Sequence, residues 1–185
     1  MLRDDILAFE PFNEQEKLDK EQILYWLDNA GDVFTRQNRT VHMTASAWVV
    51  SPDRKHVLMA WHNLYKSWAW LGGHADGEEN LLTVAQKELF EESGVKNARP
   101  VTEKIFSLEV LTVDGHEKRG QYVSSHLHLN VTYLFEADMT SALSVKPDEN
   151  SAVGWIAVNE LKDKVSEPWM MERIYEKLCR KAVLT

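Results

Sequence analysis

Three glutamates in the stretch LGGHADGEENLLTVAQKELFEESGV, residues 71–95, have the types and the spacing of a cation site. At about 100° per residue, Glu88, Glu91 and Glu92 share one arc of a helix, and Leu82, Ala85 and Leu89 form the apolar stripe beside it. Glutamates at i, i+3 and i+4 repel by about 0.2–0.5 kcal/mol per pair, and negative charge in the last turns opposes the helix dipole by about 0.3–1 kcal/mol each. Two readings fit. Salt can screen such a face when it is simply solvated, or a divalent cation can turn repulsion into attraction, since Mg²⁺ and Mn²⁺ take hard oxygen ligands.

The elements that must position these acids are legible nearby. A glycine-rich loop runs straight into a helix over 79–93, which Gly94 stops. Upstream, Thr40–Val50 reads as a strand that turns at Ser51-Pro52-Asp53 into a second run, Val57–Trp61, giving a hairpin. Downstream, Lys104–Val113 reads as a strand ending at Asp114-Gly115. HLHLNVTYLF, residues 126–135, alternates strictly, with Leu127, Leu129, Val131, Tyr133 and Phe135 on one face and His126, His128, Asn130 and Thr132 on the other. Val153–Val158 is a further strand, and a closing helix begins near Ser166-Glu167-Pro168 with Met170, Ile174 and Leu178 on one stripe. At the other end, residues 14–29 read as a helix capped by Asn13 with Glu16 three residues on, stopping before Gly31. The expected fold class is α/β, a mixed sheet between helices.

The segment resembles the signature box of the Nudix hydrolases: Gly, five residues, Glu, seven residues, then Arg-Glu-aliphatic-any-Glu-Glu-any-Gly-aliphatic. Gly73, Glu79, Lys87, Glu88, Leu89, Glu91, Glu92, Gly94 and Val95 stand at those places, and Lys87 alone departs from the pattern. The resemblance implies a Nudix-type α/β/α sandwich over residues 39–185, preceded by an accessory helix region, 1–38. It implies metal-dependent hydrolysis of a pyrophosphate bond in a nucleoside diphosphate linked to another group. It also assigns Glu88, Glu91 and Glu92 as carboxylate ligands of Mg²⁺ or Mn²⁺, with the Gly73 carbonyl as a further ligand. Glu79 would stand behind them and fix that face. In the family, the residue at Lys87 is an arginine that forks onto a box glutamate. A lysine is a point charge on a flexible stem and cannot make that planar contact, so the pairing should be looser. The general base falls to a box acid, Glu88 or Glu92, or to Glu149 in the loop KPDENSAVGW, where the family often places a later carboxylate. A non-catalytic, nucleotide-sensing Nudix module is the alternative that Lys87 raises. An isomerase of the isopentenyl-diphosphate type would want a cysteine at the site, and Cys179 lies in the closing helix instead.

Other side chains could meet the substrate. His74, beside Gly73, could contact phosphate or merely turn the loop. His126 and His128 point the same way along a strand and could share a metal, whereas His42 at a strand start reads as structural. Trp48, Trp61, Trp68 and Trp70 precede the box, and Trp68 could stack on a base, although core packing competes for each of them. Arg36, Arg39 and Lys66 are candidate phosphate contacts by proximity.

The whole chain has 185 residues, with 21 basic against 29 acidic side chains and a net charge of −8. This balance argues against binding a nucleic-acid polymer, which would need a basic footprint. A single cysteine, no apolar leader and no long apolar run point to a cytoplasmic protein without membrane partners. The resemblance implies a small nucleotide-type molecule as its partner, and the accessory helix could supply a homodimer face.

Overall fold

The alternating segment and the Val-, Ala- and Thr-rich segment come together as the central pair of a mixed sheet. A computed structural model describes residues 1–118 and 120–185. Two helices lead, α1 (Leu2–Ala8) and α2 (Glu14–Asn29), followed by β1 (Val41–Val50), β2 (His56–His62), β3 (Ser67–Ala69) and β4 (Leu71–His74). Helix α3 (Leu81–Ser93) precedes β5 (Arg99–Pro100), β6 (Ser107–Val113), β7 (His116–Lys118), β8 (Gln121–Val123), β9 (His126–Glu136) and β10 (Asn150–Ala157). A 3₁₀ turn leads into α4 (Leu161–Lys164). A π-helical turn, Met170–Tyr175, then leads into α5 (Glu176–Leu184).

Strands β1 and β9 pair in parallel over their whole length, from Val41 opposite Leu127 to Val50 opposite Glu136. The sheet order is β10-β2-β1-β9-β5, with β4 on β1, β3 on β2 and β6 on β9, and the β7–β8 ribbon stands apart. β1 and β2 form the expected antiparallel hairpin. The odd residues of β1, among them Met43, Ala45 and Ala47, are buried in one core with Leu81, Val84, Ala85 and Leu89 of α3. Trp48 and Val50, on the other face, share a second core with Leu161, Ile174 and Leu178. Helices therefore cover both faces of a mixed sheet, the expected α/β architecture.

Some element boundaries differ from the sequence reading. Asn80, not Glu79, caps α3 by accepting from the Thr83 N–H at 3.3 Å, so the helix starts two residues late. The Lys104 strand begins at Ser107. The closing helix starts at Pro168, where it is expected, and its Met170–Tyr175 stretch is a wide, π-helical turn.

Helix α2 lies along the open edge of β6. Asp19 accepts from the Val110 N–H at 2.9 Å and Gln15 donates to the Leu108 carbonyl at 3.1 Å, so the edge is covered. Asn13 caps α2 as its spacing predicts, accepting from the Glu16 N–H at 2.9 Å. Glu16 itself is fully buried. It meets Lys181 Nζ at 2.6 Å and Lys177 Nζ at 3.3 Å, while Lys177 also holds Glu109 at 2.9 Å. Glu109 accepts from Asn130 and Thr132 of β9, at 3.0 and 2.8 Å. Burial pushes the Glu16 carboxyl up, and the two ammonium groups outweigh it, leaving it below its ordinary value. The polar face of β9 is thus internal rather than solvated.

Candidate active site

The paired glycines are a steric necessity. Strand β4 lies on β1 with Gly72 opposite Ser46 and Gly73 opposite Ala45. A Cβ at Gly72 would come within 2.6 Å of the Ala45 carbonyl oxygen, and one at Gly73 would come within 2.6 Å of Glu88 Cδ. Only a bare backbone lets the Glu88 carboxyl lie against the strand. The following turn uses positive φ at Asp76 (48°) and Gly77 (94°), and Arg36 forks onto Asp76 with both contacts at 2.7 Å. Helix α3 then ends on Gly94 at φ 73°, where a side chain would also collide with Ser144.

Along α3 the apolar stripe anchors the helix, and this sets the depth of each acid. Glu88 and Glu92 are buried, and Glu91 is more exposed. Glu92 is fixed by two donors, the Gly72 N–H at 2.8 Å and Asn150 Nδ2 at 2.9 Å. The Lys146 ammonium lies among the remaining acids, 3.0 Å from Glu149, 3.3 Å from Glu91 and 4.0 Å from Glu88. Lys87 stands 3.7 Å from both Glu88 and Glu91, single-point contacts rather than a fork.

Burial governs the protonation of this cluster. It raises the Glu88 carboxyl, with Lys146 and Lys87 pulling the other way and Glu91 and Glu149 reinforcing it. Glu92 is pushed up to about 7 by burial, against the hydrogen bonds from Asn150 and Gly72 and with the added repulsion of Glu88 and Glu149. Burial also works to lower Lys146, but its hydrogen bond to Glu149 and the charges of Glu149 and Glu88 leave it raised.

These residues fit a hard divalent cation. Four carboxylates share one region, their repulsion is met by a lysine ammonium, and a glycine cradle holds one of them against the backbone. The donors are all oxygens, the set Mg²⁺ and Mn²⁺ accept.

The other candidates lie apart from the carboxylates. Glu79 is exposed in the turn before Asn80, and Arg39 is exposed ahead of β1. Among the described residues, no ion pair or hydrogen bond joins Arg39 or Trp68 to the acids. Trp68 is half-buried on β3, edge-on to Trp61 at 6.0 Å. Trp48 is fully buried and stacks on Tyr175, so it belongs to the core. His74 follows Gly73, yet its ring turns to the opposite side of the strand, toward His42 and His128 at 5.2 and 4.9 Å between centroids. Two participants escaped the sequence reading, Lys146 and Asn150. Lys146 sits three residues before Glu149, but its second partner Glu91 is 55 residues away, and nothing local signals that meeting.

Residues 40–178 match the family model of the NUDIX domain. The chain belongs to the Nudix family of pyrophosphohydrolases. Solved structures of the same fold include a Nudix-family hydrolase from Clostridium perfringens, 19% identical, covering 77% of this chain and 97% of that one with a TM-score of 0.52. An Ap4A hydrolase binary complex from C. elegans is 15% identical over 77% and 95% of the two chains, also at 0.52. The Nudix hydrolase RenU from M. smegmatis is 14% identical over 77% and 86%, at 0.55. No curated protein matches the chain in sequence. In this Nudix domain the family box is the β4–α3 unit, and Lys87 takes the place of its arginine with two contacts at 3.7 Å. Among the described residues, no helix is long and apolar enough to cross a membrane.

Proposed function

We propose that this Nudix hydrolase cleaves the pyrophosphate bond of a small nucleoside diphosphate derivative, using Mg²⁺ or Mn²⁺ held by Glu88, Glu91 and Glu92 with the Gly73 carbonyl. The observation that carries this reading is the gathering of Glu88, Glu91 and Glu149 around the Lys146 ammonium, with Glu92 of the same helix fixed by Gly72 and Asn150. A bound divalent ion would screen the phosphate charges, polarise the bridging bond and make water more acidic.

The protein's own groups divide the remaining work. Glu92, committed to Gly72 and Asn150, is a rigid oxygen donor that must give up its proton to serve as a ligand. Glu88 is pinned against Gly73. Glu149 sits on a loop at 41% exposure, paired with Lys146, so it is the acid placed to take a proton from attacking water. Lys146 can follow the negative charge from Glu149 and Glu91 to the substrate phosphates.

Substrate reach follows from strand register. Asn150 pairs with His62, and His62 with Ser67, so β3 lies two strand spacings, about 10 Å, from the residue that holds Glu92. A base stacked on Trp68 would leave its phosphates within range of the acids. His74 faces away from them and has no direct role in this reading.

A metal-dependent screen of nucleoside triphosphates, nucleotide sugars, ADP-ribose and dinucleoside polyphosphates tests the proposal, with Glu92→Gln as the blank. Turnover of at least one class that needs Mg²⁺ or Mn²⁺ is expected. Glu149→Gln should lose turnover by about 10²–10⁴-fold while still binding metal. Binding of nucleotide without any metal-dependent turnover would overturn it.

A further inference from the structure

Strand pairing builds a second constellation behind the carboxylates. In the parallel β1–β9 pair, His42 stands directly opposite His128. His74 on β4 stands opposite Thr44 of β1, on the same face as His42. Gly73 turns the other way, toward Glu88. The two groups therefore lie on opposite faces of one strand, a single residue apart.

The three rings form a nearly equilateral triangle, with centroids 5.2, 4.9 and 4.9 Å apart. One nitrogen from each lies within 4.8 Å of the others. A tetrahedral zinc with bonds of about 2.0–2.1 Å places its nitrogen ligands about 3.3 Å apart, so small ring rotations close the triangle. Tautomers are already directed. His42 Nδ1 lies 3.0 Å from the Asn38 carbonyl, which can only accept, so Nδ1 carries the proton and Nε2 keeps a lone pair. That Nε2 is buried with no hydrogen-bond partner. A backbone carbonyl holding one ring nitrogen while the other is left bare is the outer arrangement of a metal-binding histidine. His126 shares only the carbonyl contact, with Nδ1 2.8 Å from the Ser124 carbonyl, while its Nε2 meets His128 Nε2 at 3.1 Å.

We propose that His42, His74 and His128 bind a divalent transition-metal ion of the zinc class, on the sheet face opposite the carboxylates. Imidazole nitrogens suit zinc, copper or nickel and not magnesium, so the two sites sort their cations by donor type. His74 and His128 are half-buried and give an ion a way in. Three protein nitrogens leave one tetrahedral position for solvent or an anion.

Chelator-stripped protein titrated with ZnCl₂, without Mg²⁺ or nucleotide, provides a test independent of hydrolysis. One equivalent should bind with a Kd in the micromolar range or below, and X-ray absorption should show a nitrogen shell with imidazole scattering. His74→Ala, half-buried and checked by its melting curve, and His128→Gln should each weaken binding by about 100-fold or more. The Glu88→Gln/Glu92→Gln double variant should still bind one zinc, even if its hydrolytic activity is gone. Failure of the stripped protein to bind zinc would overturn the proposal. So would an absorption spectrum dominated by oxygen, or binding that survives both histidine changes.

Discussion

Glu92 ties stability to pH in a direction opposite to that of most carboxylates. Its folded-state value is pushed up to about 7 from an ordinary 4.5. Between those pH values the folded carboxyl retains a proton that the unfolded chain has released, so the native state binds more protons. Stability must then fall as pH rises through this window. The interval corresponds to about 3 kcal/mol, absent below pH 4.5 and complete above about 7. Glu92→Gln abolishes the titration. The new amide can still be satisfied, because Asn150 Oδ1 is buried without a partner and becomes an acceptor when the Asn150 amide turns over. Urea unfolding of both proteins in EDTA from pH 4.5 to 8 reads this group together with its coupling to Glu88 and Glu149, since titrations remote from it cancel in the difference. The variant should gain about 3 kcal/mol on the parent across the range. Saturating Mg²⁺ should stabilise the parent at pH 8 and leave the variant much less affected. A stability difference that stays flat from pH 4.5 to 8 would refute the account of Glu92 as a buried, strained acid.

Three further outcomes follow from the same geometry. Gly73→Ala puts a Cβ within 2.6 Å of Glu88 Cδ and displaces that carboxyl, so metal-dependent turnover should drop about 100-fold or more, read in steady-state assays beside a melting curve that shows the protein still folded. Lys146→Met removes the shared counter-charge of three acids, and thermal melts should show metal-free protein losing about 1 kcal/mol, a deficit that Mg²⁺ closes. Lys177→Met takes the ammonium from buried Glu109 and leaves Glu16 with Lys181 as its cation, and urea denaturation should record a loss of about 3–5 kcal/mol.

What could be read from the chain in advance was whatever local periodicity encodes. Helix α3, β1, β2 and β9 carry their patterns within ten or so residues, and the box motif sits inside one such stretch. Strands of two to four residues, such as β3, β4 and β5, have no period of their own and exist through their partners. The same limit hid the functional contacts. Asn150 looks like a loop residue until β10 brings it against Glu92. That His42 lies beside His128 across the sheet is equally invisible in the sequence, because parallel pairing leaves no mark on either segment. The polar side of β9 carries no local sign of its burial, because Lys177, which satisfies Glu109 beneath it, is 68 residues along the chain from Glu109.

The buried clasp of Glu16 with Lys177 and Lys181 also constrains the order of events during synthesis. Glu16 leaves the ribosome well before its cation at Lys181, which is 165 residues behind it. At roughly 5–20 residues per second, that gap lasts on the order of ten to thirty seconds. Until it closes, packing α2 against β6 would leave an unpaired carboxylate in the interior, so the first helices stay hydrated while the sheet forms. The last turn of α5 is what seats them.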